Sequence, residues 1–195
     1  PGSEVFSSSQ LQTGFSALSL RGSRLGSRDY PAELLLSHYL STAFLWEEVR
    51  MKGGAYGASA SCDPGDAIFV FTSYRDPDPQ RSLKAFKKGL ESIATEGLSE
   101  ALVEKTLIGT YSRETGPRAP GDRAWAELLR LLYGITERHR LKKLEDLISI
   151  KSSDVQRAAE RVLASFDAST AAVVGGPSQA TSAAKGLGVP IRDLD

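Results

Sequence analysis

The chain has 195 residues, 41% hydrophobic and 25% charged, and its 24 basic and 24 acidic side chains leave a formal net charge of zero. That length suits one domain, or a domain with a helical appendage, and buries a core without help from metal or disulfide. Zero net charge gives no electrostatic footprint for nucleic acid or an acidic membrane, the single Cys62 excludes an internal disulfide, and no apolar run approaches the ~18 residues of a membrane span.

Residues 1–10 are Ser-rich and read as a linker or loose end. Pro1-Gly2-Ser3 looks like the start of a segment cut from a longer polypeptide, so a lost targeting segment stays open, and none is visible here. The domain proper is expected over 11–176. It opens with a strand at 11–20 carrying Phe15, Leu18 and Leu20, then a Gly/Ser-containing loop at 21–29. A helix is expected at 31–50. Pro31 suits its first turn, and Leu34, Leu35, His38, Thr42, Leu45, Trp46 and Val49 share one face. Strands at about 55–62 and 67–74 flank Asp63-Pro64-Gly65-Asp66, a turn with fixed φ followed by permitted positive φ. Helices follow at 80–95 (ended by Gly97), from Ser99 with Leu102, Leu107 and Ile108 inside, at 122–133 with Trp125, Leu128, Leu129 and Leu132, at 137–148 capped by Thr136, and at 154–165. Ser169 to Gly175 reads as the last strand, and 177–195 as a flexible or peripheral tail. Three or four strands and five or six helices make an α+β domain whose hairpin is antiparallel.

The chain is organised around Arg50-Met51-Lys52-Gly53-Gly54-Ala55-Tyr56-Gly57. Gly53 and Gly54 supply the conformational freedom that a helix end needs. Arg50 brings a fixed cation with five donors and Tyr56 a phenolic O–H, so both suit a carbonyl oxygen. Two further stretches stand out: Ser73-Tyr74-Arg75-Asp76-Pro77, and Leu132-Tyr133-Gly134-Ile135-Thr136 before a charged helix.

Together these three stretches, in this order, resemble the second half of the M16 (pitrilysin) family of zinc metallopeptidases, most closely its presequence-protease branch. The resemblance runs from about Phe15 to about Gly175. It implies an antiparallel sheet with helices packed on one face. It also implies that Arg50 and Tyr56 are catalytic residues reaching into an active site in the other half, where they stabilise charge on the substrate carbonyl, with Gly53, Gly54 and Ala55 touching substrate. The implied enzyme degrades unstructured peptides, and its zinc, general base and water belong to an N-terminal catalytic half of the same polypeptide. The isolated domain is expected to be inactive, without cofactor, and to come from a bacterial cytoplasm or an organelle matrix. The alternative is a zinc-less homologue that acts as a structural or substrate-presenting subunit; an intact H-x-x-E-H in the other half discriminates the two.

Other chemistries are weaker. The only histidines, His38 and His139, start no H-x-x-E-H, and His139 lies among Arg138, Arg140, Lys142 and Lys143. His38 reads as a satisfied core residue, and the basic cluster as a solvated helix face. The glycine run follows a helix instead of preceding one, which is wrong for a phosphate loop. Cys62 reads as an inert thiol.

Overall fold

A computed structural model describes residues 2–195, which form a six-stranded sheet ordered β3-β4-β2-β5-β1-β6. The strands are β1 (Glu4–Ser7), β2 (Gly14–Arg21), β3 (Gly57–Asp63), β4 (Ile68–Asp76), β5 (Thr170–Gly175) and β6 (Ile191–Asp193). Neighbours are antiparallel from β3 through β5, whereas β1 lies parallel to both β5 and β6. Alternation fixes the faces: Leu18, Leu20, Phe69, Phe71 and Val173 point into the core, while Phe15, Ala17, Val70, Thr72 and Tyr74 line the open face. The α+β class and the helix-covered face stand as expected.

Apart from the helix over residues 120–132, the helices share one hydrophobic core with the inward face. The first is α1 (Tyr30–Tyr39), which continues as two π-helical stretches, Leu40–Phe44 and Trp46–Met51. Next, α2 (Pro79–Glu96) starts at Asp78, whose carboxylate accepts the Arg81 N–H, and stops at Gly97 with φ of 67°. It buries Leu83, Phe86, Leu90 and Ile93, and Phe86 stacks on Phe71 with ring centroids 4.9 Å apart. Such a fully buried aromatic is worth about 3–5 kcal/mol on truncation to Ala.

The expected Ser99 cap is made, and α3 (Glu100–Thr115) buries Val103, Thr106 and Thr110. Ile108, expected inside, is exposed, because the 103/106/110 stripe is the face turned inward. In α4 (Pro120–Leu132) no residue is buried, and Trp125, Leu128 and Leu132 form an exposed apolar stripe. Thr136 and His139 form a capping box at α5 (Glu137–Ile148). Finally, α6 (Ser152–Ala164) buries Val155, Ala158, Ala159 and Val162.

Both chain ends differ from expectation. Residues 4–7, read as part of a loose end, form β1, with Val5 fully buried. Residues 177–187, read as tail, form α7 (Pro177–Leu187), which buries Ala180, Ala183 and Ala184. Their small side chains let α7 lie close over β1 and β5, and β6 then closes the sheet edge.

Candidate functional site

The organising stretch lies where the π segment ends. The backbone N–H groups of Leu45 and Lys52 reach back five residues, to Leu40 and Glu47. Extended π geometry is rare and recurs at functional sites. Its wide turn brings residues four apart more nearly into line than an α-turn does. Trp46 and Arg50 are such a pair, and the Arg50 guanidinium lies 4.1 Å from the centroid of the Trp46 ring.

The turn needs both glycines, for different reasons. A Cβ on Gly53 would sit 2.4 Å from the Val49 carbonyl oxygen, and Gly54 has φ of 80°. Gly54 N–H donates to the Arg50 carbonyl and Ala55 N–H to the Val49 carbonyl, at 3.0 and 3.2 Å. Arg81 of α2 donates to the Lys52 carbonyl at 2.9 Å, so an orphan helix carbonyl is satisfied from a second element. Lys52 itself folds back onto Glu47 and Glu48. Ala55 is buried in the core and gives a ligand no surface; Gly54 is exposed.

Tyr56 then opens toward solvent with 62% of its surface exposed. Its N–H donates to the Arg75 carbonyl at 3.2 Å, which fixes it against β4. The Arg50 guanidinium is 5.7 Å from the Tyr56 ring centroid. So Arg50 and Tyr56 lie side by side. The exposed cluster continues edge-to-face into Tyr74 at 5.6 Å and from there into Phe15 at 5.4 Å. Arg75 completes it, 5.8 Å from the Tyr74 ring centroid. Sequence reading singled out Arg50 and Tyr56 but missed Trp46 and Tyr74 as their partners. The spacing of Trp46 to Arg50 carried a signal, and the β3–β4 register that joins Tyr74 to Tyr56 carried none.

Nearby, the outer edge of β3 is partly closed. Ser41 Oγ accepts the Ala60 N–H at 2.8 Å, while its O–H lies between the Ser37 and Ala60 carbonyls, at 2.8 and 3.0 Å. One side chain thereby satisfies the edge N–H at mid-strand and covers the carbonyl beside it.

The histidines do not fit a zinc site. Nδ1 of His38 lies 3.0 Å from the Thr110 hydroxyl, and burial holds the ring below its usual pKa, with Arg113 adding to the effect. His139 Nδ1 accepts the Thr136 N–H on an exposed helix. Among the described residues no three His, Cys, Asp or Glu side chains gather as a metal-binding group. Burial pushes the Cys62 thiol up to about 12, which keeps it a poor nucleophile. Among the described residues, no helix is long and apolar enough to cross a membrane.

Several solved structures with this fold are described as proteases or peptidase domains. The chain superposes on a protease from Helicobacter pylori with a TM-score of 0.73 at 18% identity, covering 88% of this chain and 43% of that one. It superposes on the peptidase M16 inactive domain from Pseudomonas fluorescens with a TM-score of 0.66 at 20% identity, covering 90% and 42%. The fold is therefore that of an M16 peptidase domain. A family model described as PreP C-terminal domain matches residues 20–175, and the chain belongs to that family. The mitochondrial presequence protease of Xenopus laevis is 30% identical over 149 residues, 76% of this chain. The chain spans only 14% of that relative's length.

Proposed function

We propose that this domain is the non-zinc half of a split peptidase active site and supplies Arg50 and Tyr56 to it. The observation that carries the reading is the pairing of an Arg guanidinium and a Tyr ring, 5.7 Å apart and free of carboxylate partners among the described residues, at a rigid helix–turn–strand junction. Donors held in this way favour charge that appears only in the transition state. As water attacks a peptide carbonyl, its oxygen gains negative charge. Arg50 and Tyr56 O–H donate to that oxygen. Gly53, Gly54 and Ala55 set the turn that fixes the distance between the two. The water and whatever activates it belong to the preceding half of the same polypeptide, since the histidines here do not form a zinc site. The substrates are unstructured peptides, in keeping with relatives named presequence proteases, and the parent works in an organelle matrix or a bacterial cytoplasm.

The test is Arg50→Ala and Tyr56→Phe in the full-length parent, with turnover and melting temperature measured on the same preparations. The expected result is a fall in kcat of ~10²–10³ for each, with KM little changed. Normal turnover per folded molecule, with only the melting temperature lowered, would sink the reading.

A further inference from the structure

The open face holds one strained residue beside the Arg50–Tyr56 pair. Arg75 has φ of 47°, in the left-handed region that L side chains rarely occupy. The other such non-glycine residue, Ala67, sits in the β3–β4 turn, where this conformation is ordinary. Arg75 lies instead inside β4, at a bulge. Gly14 pairs with Asp76 and Ser16 with Ser73, so Tyr74 and Arg75 together oppose Phe15 alone. A bulge redirects the side chains at its position.

The strain is held from several sides. The Arg75 carbonyl accepts the Tyr56 N–H. The next side chain, Asp76, is buried and its Oδ1 accepts the Asp78 N–H at 2.9 Å. Strain of this kind persists where the surroundings over-determine it. Here the surroundings are the candidate site itself. The result is an exposed guanidinium with no ion pair among the described residues, seated beside Tyr74. Contacts run in the order Arg50, Tyr56, Tyr74, Arg75, so two cations bracket two tyrosines.

We propose that Arg75 is a substrate-binding residue that takes a carboxylate of the bound peptide, either an acidic side chain or the C-terminus. The planar guanidinium matches a carboxylate with two parallel N–H···O bonds, which a lysine cannot reproduce. With Arg50 and Tyr56 on the scissile carbonyl, Arg75 fixes the register of the peptide along the open face. This deepens the split-site reading and rests on it for the identity of the ligand.

Binding to the full-length parent tests it, read by fluorescence anisotropy of labelled peptides at low salt with a chelator present, so that turnover does not intervene. Three peptides are used: one with an internal Glu and a free C-terminus, its Glu→Gln counterpart, and its C-terminal amide. The wild type is expected to bind the first peptide best, and the counterpart that loses affinity shows which carboxylate is read. Arg75→Gln is expected to weaken the first peptide about tenfold and erase the difference among the three. Arg75→Lys falls between. Arg75→Gly, which relieves the backbone, is expected to melt no lower than wild type yet bind like Arg75→Gln. The proposal is overturned if the wild type binds the three peptides alike or not at all, or if Arg75→Gln weakens all three by the same factor. The split-site reading falls separately, on unchanged turnover in the Arg50 and Tyr56 variants.

Discussion

Arg161 and Arg50 both stand in the last turn of a helical segment, and they are held in opposite ways. Arg161, from α6, reaches the fully buried Glu33 of α1, with Asp29 at 3.6 Å from its Nε. The other Glu33 oxygen accepts the Ser23 N–H at 2.8 Å, so one carboxylate ties a loop and two helices together. Arg50 has no carboxylate at all among the described residues and lies against two aromatic rings. The difference separates an arginine that holds the fold from one whose donors stay available. A ring face restrains a guanidinium in position but uses none of its five N–H groups.

The sharpest way to break this contrast is Arg161→Met. Glu33 is then buried without its cation, and a loss of roughly 2–3 kcal/mol is expected, at the low end for a broken buried pair because Arg161 is itself partly solvated. Burial raises the Glu33 pKa and Arg161 opposes that rise. Removing Arg161 raises it further, so the folded variant takes up a proton more readily than the unfolded chain. Its stability should therefore recover as pH falls through the folded Glu33 value. Urea melts at pH 7.5 and 5.5 check this, and a loss of equal size at both would contradict it.

A smaller effect is expected at the turn. Gly54→Ala should destabilise by about 1 kcal/mol through its positive φ, while Gly53→Ala should do more, since its Cβ meets the Val49 carbonyl. Thermal melts rank the two, and equal values would show that the close approach relaxes freely.

Smaller again is Trp46→Leu. About 0.5–1 kcal/mol of stability is expected to go with the cation–π contact, whereas kcat of the parent should drop with KM steady as the Arg50 guanidinium loses its seat. Trp46→Phe should restore part of kcat; absence of that rescue would make Trp46 a packing residue only. The smallest expected effect is at His38. Its folded pKa is depressed, so the unfolded chain binds its proton first and wild-type stability declines as pH falls below about 6.5. His38→Gln should flatten that part of the pH–stability curve.

Much of the framework was legible because it is written locally. Gly97, Ser99 and Thr136 mark helix ends through backbone conformation and side-chain caps, while Phe15, Leu18 and Leu20 marked β2 and the β-branched and aromatic run over 67–74 marked β4. Non-local features left no such mark. The pairing of β1 with β5 joins Val5 to Val173, and a four-residue strand among serines shows no period of its own. The α7 helix is buried through alanines, which give little hydrophobic contrast along the sequence. At the site, Arg50 and Tyr56 were legible through the glycine turn. The Arg75 bulge was not, since it arises from a register shift against β2. The stripe of α4 predicted a helix correctly but not its exposure: periodicity shows which side of a helix is apolar, not whether anything covers it.

The π segment has a consequence for the tolerance of this chain to insertions and deletions. A π-turn holds one more residue than an α-turn, so length is stored inside the helix between Leu40 and Met51. Deleting one residue there would let the helix tighten to α geometry without breaking it. Everything beyond the deletion would then keep its phase relative to α1, because the wide turn had absorbed the extra residue. The core face of α1 would stay packed and the Gly53-Gly54 turn would keep its place. The same deletion in a uniformly α-helical segment would instead turn everything beyond it by about 100°. Between Leu40 and Met51, the loss of one residue is therefore tolerated better than it would be in α1.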